Sequence, residues 1–213
     1  MTLLINQLYL NPLVSINWLS ENLNAPDLVI LDVSLESNVA NIEVVFPRIQ
    51  IKGARYFDLK RSFSDLENPL PNTLPNPEAF AFASRNLGIN NNSTIVVYDN
   101  IGIYASPRVW WMFKSMGHKN IAVLDGGLPA WKNKNYPTES IQTRELPEGN
   151  FKALFNSNFQ KSASQILENI ASKEAIVIDA RSNERFFGLV PESRKNLKSG
   201  NIPNAVNLPF LEV

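Results

Sequence analysis

Three nearly continuous apolar runs, LVILDVS (28–34), STIVVYD (93–99) and NIAVLDG (120–126), limit what this chain can fold into more than any other feature. A run without polar alternation reads as a strand buried on both faces, the mark of a parallel sheet. Helical patterns lie between the runs. SINWLSENLN opens at Ser15 as N-cap and sets Ile16, Leu19 and Leu23 on one face. NPEAFAFASRNLG has Asn76 as N-cap, Pro77 in its first turn and Gly88 as its stop, and SPRVWWMFKSMG begins at Ser106-Pro107. Gly126-Gly127 turns the third run into a further short helix. The alternation predicts an α/β fold, an open and mostly parallel sheet with helices on both faces.

Composition narrows the partners. The 213 residues carry 20 basic and 20 acidic side chains, so no basic stripe suggests nucleic acid or an anionic membrane surface, and a small molecule is the expected partner. No apolar run reaches the roughly 20 residues of a membrane helix. The first basic residue is Arg48, so the apolar N-terminal stretch lacks the charged start of a secretory signal, and the expected location is the cytoplasm. There is no cysteine, hence no disulfide, no thiolate nucleophile and no sulfur ligand for a metal. The single histidine, His118, rules out a His-pair metal site; it follows a helix-stopping glycine and reads as a helix-end residue. Trp110, Trp111 and Phe113 read as core. The strand, loop and helix start around Asp99 to Ser106 have the layout of an anion site, but Asp99 puts a negative charge there that would repel an anion.

From Asn133 to about Asn156 the pattern turns polar and loses its period, a linker, after which SASQILENIAS reads as a helix and AIVIDARS as a strand. The stretch from Ala175 to Phe210 then joins two apolar runs through a polar segment holding Arg185, Arg194 and a turn at Gly200 to Asn204. Two guanidinium forks in one loop either clamp a small anionic substrate or lie solvated at the surface. The segment has an earlier counterpart. LVILDVS lies over AIVIDARS and IKGARYFDL over NIPNAVNLPF, so that Asp32 falls on Asp179 and Ala54 on Ala205, at separations of 147 and 151 residues. Repetition at that spacing means two copies of one domain. About 80 residues follow Ala54 before the linker but only eight follow Ala205, so the second copy is expected to be incomplete. The counterpart of Asp99 would fall near position 250, beyond Val213.

The motifs VVYDN...ASPRVWWMF..GH.N..VLDGGLPAW in the first copy and DARS..RF.G..PE.R....SG.IP.AVNLPF in the second resemble the tandem-rhodanese sulfurtransferases, the thiosulfate and 3-mercaptopyruvate enzymes. The resemblance covers nearly the whole chain. It implies rhodanese-like open parallel sheets flanked by helices, in tandem: an inactive domain at 1–140, a linker at 141–156, and at 157–213 the first half of a catalytic-type domain. In the family the catalytic domain carries a loop cysteine that takes sulfur from a small anionic donor as a persulfide and passes it to cyanide, a thiol or thioredoxin. Backbone N–H groups and a helix N-terminus would hold such a cysteine as thiolate. On this mapping Asp99 is the inactive-domain counterpart of the cysteine, Arg185 and Arg194 grip the donor's carboxylate, and no cofactor is called for. Arg194 is typical of the mercaptopyruvate enzymes, which favours 3-mercaptopyruvate over thiosulfate.

Departures from the family pattern accompany the likeness. Lys60 stands where an acidic residue often follows the aspartate equivalent to Asp58, and Asn72 replaces the histidine of a neighbouring loop. Neither could serve the proton relay proposed for those two family positions. The turn GHIPG reads Gly200-Asn201-Ile202-Pro203-Asn204, in which Asn204 can take the left-handed position. Two readings stand: part of a sulfurtransferase whose cysteine lies outside these residues, or a cysteine-free, non-catalytic module that binds an anion or a partner.

Overall fold

The computed structural model describes residues 11–36, 42, 49–192 and 197–212. The chain divides into two compact units, Met1–Phe159 and Gln160–Val213. The described residues of the first form seven strands, of which the first six in chain order are β1 (Leu13–Val14), β2 (Leu28–Asp32), β3 (Ile49–Ile51), β4 (Arg55–Tyr56), β5 (Thr94–Tyr98) and β6 (Ile121–Leu124). Five of them form one sheet in the order β1-β6-β5-β2-β4, every pair parallel. β3 instead pairs antiparallel with β7 (Thr138–Ser140).

The apolar runs are continuous because both faces of the sheet are covered. On one face Val29, Leu31, Ile95, Val97, Ile121 and Val123 pack against α2 (Pro77–Asn86) and α3 (Ser106–Ser115). On the other, Ile30, Val96, Tyr98, Ala122 and Leu124 meet Leu19 of α1 (Ile16–Asn22) and Leu128 and Trp131 of α4 (Gly127–Asn133). Central β5 has all five residues buried. Phe113 anchors the first face, edge-on to Phe80 and Phe151 at centroid distances of 5.0 and 5.7 Å. Trp110 and Trp111 are half-buried against the same cluster.

Helix starts follow their caps, with one difference. Ser15 and Asn76 accept from the N–H groups of Trp18 and Ala79. Ser106, read as a cap from the sequence, is already the first residue of α3, and Ala105 at the cap position makes no side-chain bond. Asp99 takes over that task from seven residues upstream.

Residues 149–156, in the stretch read as a linker, are bonded into the first unit. The N–H groups of Gly149, Phe151, Leu154 and Asn156 donate to the carbonyls of Arg85, Ile89, Met116 and Ser115 at 2.7–3.1 Å. Those carbonyls cluster at the C-terminal ends of α2 and α3, where helices leave acceptors without partners. Phe151 is buried within the Phe113 cluster.

The second unit holds α5 (Ala163–Ser172), β8 (Ile178–Asp179), α6 (Asn183–Phe186) and β9 (Val206–Asn207). A capping box between Ser162 and Gln165 starts α5. β8 and β9 are parallel and repeat the geometry of β2 and β4. Asp32 faces Tyr56 and Asp179 faces Asn207. Phe57 N–H donates to Asp32 O at 2.8 Å, and Leu208 N–H to Asp179 O at 3.0 Å. Ala54 N–H reaches Ile51 O, and Ala205 N–H reaches Ile202 O, both at 3.0 Å. Even the aspartate turn recurs, Ser34 N–H on Asp32 Oδ1 and Arg181 N–H on Asp179 Oδ1. Asn204 occupies the left-handed region at φ 67°.

Candidate functional site

At the carboxyl end of β5 the chain wraps around one carboxylate. Asp99 Oδ1 accepts the N–H groups of Ile101 and Gly102, both at 3.0 Å. Oδ2 accepts those of Tyr104, Ala105 and Ser106 at 2.8–3.0 Å and the Ser106 hydroxyl at 2.8 Å. Six donors exceed the roughly four lone-pair directions of a carboxylate, so its hydrogen-bonding capacity is filled. The residue is 1% exposed. Gly127 closes the nest from the β6–α4 turn: a Cβ there would stand 2.5 Å from Gly102 O and 2.6 Å from Asp99 O. The loop is thus an anion nest at a helix start that holds its own side chain as the anion.

Behind the nest lies a second buried carboxylate. Asp32 Oδ2 accepts the Tyr98 hydroxyl at 2.8 Å, and that hydroxyl accepts Ile51 N–H at 3.0 Å. Burial pushes the Asp32 carboxyl up and, with the Asp32 charge adding to it, the Tyr98 phenol well up. His118 is also buried: its Nε2 lies 2.9 Å from Ser93 O, its N–H donates to Phe113 O at the end of α3, and burial holds its imidazole below the ordinary value. Its part is structural.

The second unit gathers four charged side chains, Arg185 among them. Glu192 Oε2 lies 2.5 Å from Arg185 Nη2, and Oε1 lies 2.7 Å from Arg181 Nη1. Arg181 grips Asp179 through Nε at 2.9 and 3.0 Å and through Nη2 at 2.5 Å, and also donates to Gly200 O at 2.8 Å. These hydrogen bonds, from Arg185 to Glu192 and from Arg181 to Asp179, hold both carboxyls below the usual range. The Arg185 side chain is 37% exposed, and its Nε is buried with no partner among the described residues. Arg185 is therefore not a freely solvated surface cation but one arm of a braced cluster. Arg194 lies outside the described residues.

Asp99 sits in the first unit and Arg185 in the second. Lys60 and Asn72 are exposed positions of the first unit; Asn72 takes φ 58°, and its carbonyl accepts from Arg108, whose guanidinium stacks over Trp111. Sequence reasoning did not single out Arg181 or Glu192. The signal was present, since both stand in the DARS and PESR motifs, but opposite charges in one loop look solvated until their side chains are seen to converge.

Among the described residues no helix is long and apolar enough to cross a membrane. Residues 15–134 match the family model of the rhodanese-like domain. The 3-mercaptopyruvate sulfurtransferase of Escherichia coli K12 is 36% identical over 203 residues, covering 94% of this chain and 72% of that protein. The 3-mercaptopyruvate sulfurtransferase of Mus musculus is 38% identical over 208 residues, 94% of this chain and 69% of its own length. The crystal structure of SseA, a 3-mercaptopyruvate sulfurtransferase of Escherichia coli, superposes with a TM-score of 0.82 at 35% identity, over 95% of this chain and 76% of SseA. The sheet order, the filled nest and these likenesses place the chain in the rhodanese-like family, to which it belongs.

Proposed function

We propose that the chain is part of a sulfurtransferase that moves sulfane sulfur from a small anionic donor to a thiol, with 3-mercaptopyruvate as the donor favoured over thiosulfate. The observation that carries this reading is the likeness to 3-mercaptopyruvate sulfurtransferases over 94% of the chain, which spans the braced Arg185 as well as the first sheet. In the proposed reaction a cysteine thiolate attacks the donor's sulfur. The S–S bond forms as the C–S bond breaks, and the departing enolate takes up a proton to give pyruvate. A cyanide, thiol or thioredoxin acceptor then removes the outer sulfur and returns the thiolate. Arg185 and Arg194 orient the donor's carboxylate.

The 213 residues contain no cysteine, so the attacking sulfur has to come from outside them. The first domain is inactive on this reading, since Asp99 fills the nest in which a persulfide would be held. The parallel pair β8–β9, with the register of β2–β4, supports reading 157–213 as the opening of a second, catalytic-type copy. Cytoplasmic location is part of the same proposal, supported by a composition without disulfides.

The lack of cysteine also favours a second reading, a non-catalytic module that binds an anion or a partner. Release of thiocyanate from 3-mercaptopyruvate and cyanide separates the two. The 213-residue chain is expected to release none, and the product of the full reading frame to release it if that product carries a loop cysteine. Turnover by the cysteine-free chain would overturn the persulfide mechanism. A full-length product without cysteine would leave the binding module as the function.

A further inference from the structure

Glu192 has a side chain only 3% exposed, and each of its oxygens meets a different guanidinium. Oε1 accepts from Arg181 Nη1 at 2.7 Å and Oε2 from Arg185 Nη2 at 2.5 Å. The two arginines are used differently. Arg181 is spent on all three nitrogens, Nε and Nη2 on Asp179, Nη2 also on Gly200 O, and Nη1 on Glu192, so it has no edge left for a ligand. Arg185 gives the cluster only Nη2. Its Nε is buried without a partner, and its Nη1 has none among the described residues. Nη1 is therefore the end of Arg185 that can meet a ligand's carboxylate.

A carboxylate and a guanidinium left to themselves pair through two parallel hydrogen bonds. With Oε1 free to turn, Glu192 would take Nη1 of Arg185 as well as Nη2 and close that fork by an ion pair within the chain. Arg181 holds Oε1 away. It can do so because Asp179, at the end of β8, and Gly200 O fix its own direction. We propose that Arg181 is a positioning residue of the donor site, one that confines Glu192 to a single nitrogen of Arg185 and so leaves Nη1 open to the donor's carboxylate. The inference rests on the reading of Arg185 as a donor-binding residue.

The test titrates the 213-residue chain with pyruvate, an unreactive keto acid, following the Nε–H signals of 15N-labelled arginines by NMR. In the wild type the Arg185 signal is expected to move. Two variants keep the net charge of the cluster. Arg181→Lys puts one ammonium where a planar fork held Asp179 and Glu192 at once, so Glu192 closes on Arg185 and pyruvate affinity there should fall about tenfold. Arg181→Gln combined with Glu192→Gln removes both the brace and the carboxylate that closes the fork, and the affinity should return to the wild-type value. A residue that served stability alone would not give this order, in which two changes bind better than one. In chains with native amide spectra, an unchanged affinity in Arg181→Lys, or a double variant as weak as Arg181→Lys, overturns the proposal. Should Arg181→Lys not fold, the double variant decides alone: wild-type affinity bears the proposal out, and a loss of about tenfold overturns it. A wild-type Arg185 signal that ignores pyruvate, or pyruvate shifts of the second unit's amides that survive Arg185→Ala, overturn instead the donor-site reading beneath it.

Discussion

Tyr98 shows how a single hydroxyl can hold two strands and a turn together. It donates to Asp32 across the β2–β5 pair and accepts from Ile51 at the edge of β3. Tyr98→Phe leaves a buried carboxylate oxygen and a buried N–H without their partner, and each such group costs about 1–3 kcal/mol. The urea midpoint should fall accordingly at an unchanged slope; an unaltered midpoint would mean that water enters and replaces the hydroxyl. Asp32 adds a pH signature. Burial raises its carboxyl above the ordinary value of 3.8, so the native chain holds a proton over a range where the unfolded chain has released it. This residue's contribution therefore falls as pH rises from about 3.8 through the raised value, and is flat on either side. Asp32→Asn should abolish that slope, seen as the difference between the two proteins' urea stabilities across the range. The sequence shows Asp32 at the end of an apolar run; it does not show the phenol 66 residues away that donates to its Oδ2.

Among the elements, α3 depends most on a residue outside itself. Its first N–H, at Ser106, and those of Tyr104 and Ala105 before it converge on Asp99, a long-range cap that local cap rules do not find. Asp99→Ala orphans five backbone N–H groups and should cost at least about 3 kcal/mol, since each unpaired buried donor costs about 1–3 kcal/mol. Asp99→Asn keeps one oxygen and turns an amide N–H toward the other donors, so it should fall between. Urea unfolding followed by tryptophan fluorescence reads both, through Trp110 and Trp111 on the same helix. A loss below about 1 kcal/mol for the alanine variant would mean that solvent can fill the nest. The position of Asp99 was legible from the sequence, because it ends a buried strand ahead of a helix. Its six bonds were not, being made almost wholly by backbone, which leaves no mark in residue type. The same blindness hid the strap at 149–156, whose bonds run from main chain to the carbonyls at two helix ends.

At the level of the whole molecule the two units differ in what holds them. The first buries residues on both faces of a five-stranded sheet, and the apolar runs made that half of the fold readable. The second buries only Phe186 and Pro209 among its described residues, while Ile176, Ile178 and Val206 remain exposed. Its order leans on the charge cluster of Asp179, Arg181, Arg185 and Glu192, which sequence pattern reveals only as scattered charges. Acid should therefore separate the units. Asp179 and Glu192 are held below the usual carboxyl range by their arginine hydrogen bonds, so their stabilising contribution is present above that range and is lost as pH falls through the depressed values. In the first unit Asp32 has the opposite sign and gains on protonation. His118 acts against the first unit in acid, since its contribution is lost as pH drops from 6.5 through its lowered value. Hydrogen exchange between about pH 5 and pH 2, corrected for the intrinsic rate, should thus show amides of α5, β8 and β9 losing protection while those of β5 and β6 keep theirs. Loss of protection at the same pH in both units would mean that the charge cluster carries no separable share of the second unit's stability.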